Sequence, residues 1–369
     1  MSNTGSRDIR LDGLRGLATL AVVVSHFVAE VPSGLVAFAV GHIAVTVFFV
    51  LSGFLIGRLV LDRGDDANFF QVFYGRRFLR TVPSYAVVLM AILSAGALGG
   101  GLDTGTGTIP PWTYATFTQN IAMGWFGTIG NEWLAPTWAL AVEEQFYLVA
   151  PLAIVVLPRR TLPTAVVAVI VAAIGYRWMQ NAMGADYLRY MGSLLANADQ
   201  IALGVGAAVL LDRRPLARFD RVLEVLPLLC LLAVAAGSLV LSREVLTTVP
   251  LRALLGLAAA AFILRLAVHP TCSSWLANRV LLSAGRHSYS IYLVHMGVAG
   301  LVHALVTGSS PDIGSPAAWL ATALSFGATA GAAVALTTWI EDPCTSLGRR
   351  LRWSSARRGP APAPGFLRS

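Results

Sequence analysis

The chain has 369 residues, of which 56% are hydrophobic and 12% charged, with a mean hydropathy of +0.68. Soluble domains carry roughly one charged residue in four, so a water-soluble enzyme is excluded and a polytopic membrane protein is indicated. The net charge of +8 does not imply nucleic acid as a partner, because the basic residues sit in short clusters between apolar runs, as cytosolic loops of membrane proteins require.

The N-terminus is basic and then apolar, like a signal peptide, but its apolar part contains His26 and lacks a small-residue cleavage site, so it reads as retained. Taken in order, the apolar runs predict helices over 12–30, 35–58, 78–98, 136–157, 162–182, 187–211, 222–241, 248–268, 285–306 and 316–340. Most approach the roughly 20 residues needed to cross a bilayer. Arg7 and Arg10 place the N-terminus inside. Arg58, Arg63, Arg76, Arg77 and Arg80 mark the next inner loop, followed by Arg159 with Arg160, Arg213 with Arg214, and Arg279 with Arg286. The fold class is therefore all-α, a transmembrane bundle of about ten spans with both termini cytosolic.

Residues 113–130 are apolar enough to suggest an eleventh crossing, but counting it would put Arg159 and Arg160 outside. Residues 99–135 are accordingly an outer segment, with Trp112, Trp125 and Trp133 at the interface and a glycine-rich loop at its start. The domain division is 1–345 for the membrane unit and 346–369 for a basic cytosolic tail that includes RGPAPAPG and is expected to be disordered. Cys230, Cys272 and Cys344 are scattered and form neither a disulfide framework nor a zinc motif.

Polar residues inside these spans carry the functional signal. In the first helix, Arg15 and His26 are eleven positions apart and about 20° from alignment, with Asp12 within about 60° of Arg15. One stripe thus carries a carboxylate, a guanidinium and an imidazole, with His26 roughly 16 Å deeper than Arg15. Arg15 as a headgroup anchor and His26 as a satisfied core histidine are the bland alternatives. Three ionisable groups on one stripe of a membrane helix, however, favour a site. In the second helix, Ser52 and Gly53 suit close helix packing.

Arg77 and Arg80 share a face of the third helix and suit a phosphate or carboxylate, or serve as cytosolic anchors. In the fourth, Glu143 and Glu144 lie where a bare carboxylate is expensive. Glu143 shares a face with Tyr147, while Glu144 points about 100° away. His26 and Glu143 lie at comparable depth, which makes a His–Glu pair geometrically possible. Asp199 in the sixth helix and His295 in the ninth, the latter on one face with Ser288 and Tyr292, are either site residues or interhelical glue. His42, His269, His287 and His303 receive no role.

The segments LDGLRGLATLAVVVSH, FFVLSGF, RRFLRTVPSY, TWALAVEEQFY, SYSIYLVH and IEDP around Glu341, in this order and spacing, resemble the membrane acyltransferase-3 family of bacterial O-acyltransferases. The resemblance covers almost the whole chain. It implies ten helices, a cytosolic acyl-CoA donor, and functional importance for Arg15, His26, Arg77, Arg80 and Glu143, with Asp199 and His295 as support. The fourth-helix motif departs from the family, reading Trp138, Ala139, Leu140, Ala141 where many relatives have serines beside the leucine. Some relatives append a periplasmic esterase-like domain, which the short stretch after the last helix is not expected to hold.

The expected chemistry is transfer of an acetyl or other short acyl group from acyl-CoA, with acetyl-CoA the expected donor, to a hydroxyl of a carbohydrate or glycosylated compound. The setting is the inner (cell) membrane of a bacterium. His26 is the expected base, with Glu143 orienting it. Arg77, Arg80 and Arg15 are expected to hold the donor's anionic part, with Asp12, Tyr147, Asp199 and His295 completing the binding set. His26 as a transient acyl carrier is the other route. No metal and no permanently bound cofactor are expected; the partners are acyl-CoA, the hydroxyl acceptor and the lipid bilayer. A proton-coupled transporter, a macrolide acylase and an inactive scaffold are the competing functions.

Overall fold

The computed structural model describes residues 8–28, 35–97, 109–213, 220–240, 249–269 and 271–354. Among the described residues every regular element is helical. The helices are α1 (Ile9–Phe27), α2 (Leu35–Arg63), α3 (Phe69–Ala97), α4 (Pro111–Ala115), α5 (Gln119–Phe126), α6 (Thr137–Val156), α7 (Leu162–Ala182) and α8 (Tyr187–Met191). They continue with α9 (Leu194–Arg213), α10 (Asp220–Val240), α11 (Val249–Val268), α12 (Arg279–Arg286), α13 (Ser288–Thr307), α14 (Pro316–Leu336) and α15 (Asp342–Arg350). A π turn, Thr337–Glu341, joins α14 to α15.

Among the described residues eight helices are long and apolar enough to cross a membrane: α2, α3, α6, α7, α9, α11, α13 and α14 with its continuation. The ten-span expectation adds α1 and α10 to these. Helix α1 carries Arg10, Asp12 and Arg15 in its first half, which lowers its apolarity without shortening it. Residues 113–130 hold the end of α4 and all of α5, helices of five and eight residues, too short to cross at about 1.5 Å per residue.

Several boundaries differ from the sequence expectation, each for a local reason. Helix α1 begins at Ile9 because the Asp8 carboxylate caps it, accepting from the Arg10 backbone N–H at 3.0 Å. Asp8 also holds the Arg10 guanidinium, which donates in turn to the carbonyls of Leu266 (2.6 Å), His269 (2.6 Å) and Cys272 (2.9 Å). The start of the chain is thereby tied to the end of α11. Helix α3 begins at Phe69, so Arg76, Arg77 and Arg80 lie within it. The sixth expected helix divides at Gly192 into α8 and α9.

The expected disordered tail starts too early. Residues 342–350 are helical, and Trp353 stacks on Phe69 with ring centroids 5.7 Å apart. The Arg76 guanidinium covers the Trp353 ring at 5.0 Å and donates to the Leu351 carbonyl at 2.6 Å. The tail expectation beyond Ser354 lies outside the described residues.

The main core is built where α2 meets α6, α9 and α11, from Phe49, Val50, Phe54, Val142, Phe146, Ile201 and Ile263 among others. Helices α2 and α9 approach at Gly53 and Gly204. A Cβ on Gly53 would collide with the Ile201 carbonyl, and one on Gly204 with the Val50 carbonyl. Small residues at such crossings let membrane helices pack backbone to backbone. Ser52 is thereby held rigidly beside α6.

Candidate active site

His26 lies in the last turn of α1, and His295 in α13 with no exposure to solvent. Their rings stack at 5.1 Å and 19°, with His26 Nδ1 2.9 Å from His295 Nε2. His295 Nδ1 is 2.8 Å from the Tyr292 carbonyl oxygen. A carbonyl only accepts, so Nδ1 of His295 carries a proton. The neutral ring's Nε2 is then an acceptor, which makes Nδ1 of His26 the donor to it. The network leaves the lone pair of neutral His26 on Nε2. His26 itself is exposed and lines a cavity of about 380 Å³ together with Phe27, Trp138, Glu132, His303 and Asp312. That volume lies within the range of small-molecule sites.

The expected His26–Glu143 pair is not what the structure brings together. Glu143 Oε1 accepts from Ser52 Oγ of α2 and from the Tyr147 hydroxyl one turn along α6, with the two hydroxyls 3.3 Å apart. Both partners are set by geometry: the i,i+4 spacing within α6 and the tight seating of α2. The place at His26 is taken by His295, expected only as a support residue. Ser52, read from sequence as a packing residue, does both jobs through its hydroxyl and its neighbouring glycine.

Arg77 lies over the Tyr147 ring, 4.1 Å from its centroid, a cation–π contact. Glu144 points elsewhere, with Arg77 and Arg80 as its cationic neighbours, and its Oε1 is buried without a hydrogen-bond partner. Arg80 and Arg15 both act on Glu341, whose Oε2 accepts from Ser290 Oγ at 2.9 Å. Thr337 Oγ1 in turn donates to Ser290 Oγ at 2.9 Å. Asp12 pairs with Arg15 at 3.4 Å. The three expected arginines thus belong to one charged region with Glu143, Glu144 and Glu341.

Tyr292 links this region to the histidines. Its ring is 5.8 Å from that of His295, its hydroxyl donates to the Pro136 carbonyl, and Glu143 is its acidic neighbour. Glu341 was marked in the sequence only by IEDP at the end of an apolar run. It occupies the last position of the π turn, a helix irregularity frequent at functional sites.

Asp199 is not joined to either group. Both its oxygens are taken by Arg177 of α7, NH1–Oδ1 at 2.7 Å and NH2–Oδ2 at 2.7 Å, with neither side chain exposed. Arg177 NH1 also donates to the Ala196 carbonyl at 2.5 Å. The expectation of Asp199 as a binding residue is corrected on this ground, since its carboxylate is committed to tying α7 to α9.

A family model described as an acyltransferase domain, of the acyltransferase-3 type, matches residues 8–338. The protein named "Putative O-acetyltransferase SACOL0978" in Staphylococcus aureus (strain COL) is 27% identical over 327 residues, covering 82% of this chain and 52% of the relative. The O-acetyltransferase OatA of Staphylococcus aureus (strain NCTC 8325 / PS 47) is 24% identical over 326 residues, with the same 82% and 52% coverage. The chain therefore spans about half the length of the curated relatives it matches. No solved structure is matched.

Proposed function

We propose, from the premise that this chain belongs to the acyltransferase-3 family, that it moves an acetyl or other short acyl group from acyl-CoA to a hydroxyl of a carbohydrate or glycosylated compound in a bacterial cell membrane. The observation that carries the reading is the His26–His295 pair at the cavity. Its hydrogen bonds end on a basic nitrogen rather than closing on themselves. A neutral imidazole with its lone pair on Nε2 can take a proton from a hydroxyl, so His26 suits general-base work.

In this reading the acceptor hydroxyl gives its proton to His26 Nε2 as its oxygen bonds to the thioester carbonyl carbon. The tetrahedral oxyanion then collapses, the C–S bond breaks, and the proton passes from His26 to the departing thiolate. His295 keeps the His26 ring in the tautomer that makes this transfer possible. Arg77, Arg80 and Arg15 hold the donor's phosphates, for which guanidinium forks are well suited. Glu144 beside Arg77 and Arg80, and Glu341 beside Arg80 and Arg15, offset part of the positive charge that these arginines gather.

His26→Ala tests the reading. Transfer from acyl-CoA, measured in a purified membrane preparation at saturating donor, should fall about 10³-fold, the middle of the range for loss of a general base. The unfolding temperature and donor binding should stay near wild type. A near-normal rate removes His26 from the chemistry, and an acyl group trapped on His26 by donor alone replaces the direct route with a two-step one.

A further inference from the structure

The cavity that His26 lines is chemically lopsided. Among the described residues on its wall are two carboxylates, Glu132 and Asp312, and no lysine or arginine, in a chain whose net charge is +8. Both carboxylates are exposed. A low-dielectric wall bearing one sign of charge focuses its field into the space it encloses.

A second feature stands apart from the catalytic pair. His303 lies eight residues beyond His295 on α13, about 12 Å farther along the helix axis, and lines the same cavity. It is 2% exposed. Its Nε2 is 3.1 Å from Thr322 Oγ1, while its Nδ1 is buried with no hydrogen-bond partner. Thr322 lines the cavity as well, and Asp312 is the charged group that acts on His303. Buried ring nitrogens are ordinarily bonded, and a polar group of a cavity ligand would complete this one.

Resting on the function proposed above, we infer that the cavity takes a polyhydroxy acceptor bearing a protonated amine, of the amino-sugar class, and rejects carboxylated ones. Glu132 and Asp312 attract the amine, and His303 Nδ1 bonds a ring substituent at the end away from His26. An anionic acceptor would bring like charges together in a confined space, which selects against it directly.

Three matched methyl glycosides test this: a glucosaminide, its neutral N-acetyl form, and a glucuronide. Equilibrium binding of each to the full chain in nanodiscs, by calorimetry, separates recognition from turnover. The glucosaminide should bind at least tenfold tighter than the neutral form, and the glucuronide weakest of all. Asp312→Asn and Glu132→Gln, both at exposed positions, should each shrink the amine preference about threefold or more, and His303→Phe should weaken the glucosaminide and its N-acetyl form alike. Equal affinities, a preference for the glucuronide, or no binding by any of the three overturns the inference. His26-dependent consumption of acyl-CoA by the same preparations reports separately on the function it rests on.

Discussion

Arg177 with Asp199 and His26 with His295 are both pairs of titratable side chains that join two helices across the bundle, and they differ in where their hydrogen bonds end. Arg177 and Asp199 meet through two parallel bonds, fully buried, and Arg177 NH1 gives a further bond to a backbone carbonyl. The histidine chain starts on the Tyr292 carbonyl, passes through both rings, and finishes on a nitrogen at the cavity wall. Burying polar groups is costly in either case. The first pair is satisfied largely within itself and holds α7 to α9; the second has one end at the cavity that His26 lines.

The largest effect should come from opening the closed pair. Arg177→Met leaves Asp199 buried and uncompensated, which should cost about 3–5 kcal/mol, read as a loss of folded protein in thermal unfolding. Arg177→Met with Asp199→Leu should recover most of that stability, because no lone charge then remains. If the single variant is as stable as the parent, Asp199 is not the structural tie described here.

Next in size is loss of the orienting ring. His295→Gln should reduce transfer roughly 100-fold, near the lower limit for general-base effects, without a comparable loss of stability. Because Glu143 bonds to Ser52 and Tyr147 rather than to His26, the losses from His295→Gln and Glu143→Gln should multiply in the double variant. Residues acting as one unit are non-additive, so a double variant no worse than the poorer single one would place Glu143 in the histidine relay after all.

The smallest expected change is at the donor. Arg77→Lys keeps the charge but loses the planar fork and weakens the stacking over Tyr147. The KM for acyl-CoA should rise about tenfold, equivalent to about 1.4 kcal/mol, with little change in the rate at saturation. An unaltered KM would make Arg77 a structural partner of Tyr147 only.

The helical architecture was legible in the sequence, and so were the candidate residues, because ionisable residues in apolar runs are few and each needs a reason. His26, Arg77, Arg80, Glu143 and Tyr147 stand out as candidates in this way, and the structure gives each of them a polar or aromatic neighbour. The partners were not. His26 and His295 are 269 positions apart, and which helices adjoin and how each is rotated cannot be read from spacing along one of them. Asp199 looked functional for the same reason that His26 did, and only Arg177, itself unremarked in an apolar run, distinguishes the two.

The start of α3 was misread because clustered arginines imitate a loop. Here Arg76 is accommodated by the Leu351 carbonyl and the Trp353 ring, both supplied by a segment expected to be disordered. Glu341 was passed over because it follows the apolar run rather than interrupting it.

The central claim concerns one proton. If the histidine chain is wired as its acceptors require, both rings are neutral and protonated on Nδ1, with Nε2 of His26 unprotonated. Solid-state 15N NMR of the protein in bilayers, with histidine labelled and the two rings assigned through His26→Ala and His295→Gln, reads this directly. The account predicts a protonated Nδ1 and a bare Nε2 for His26 at neutral pH. A His26 ring carrying its proton on Nε2 instead would contradict it, since Nε2 would then have no lone pair with which to take the acceptor's proton.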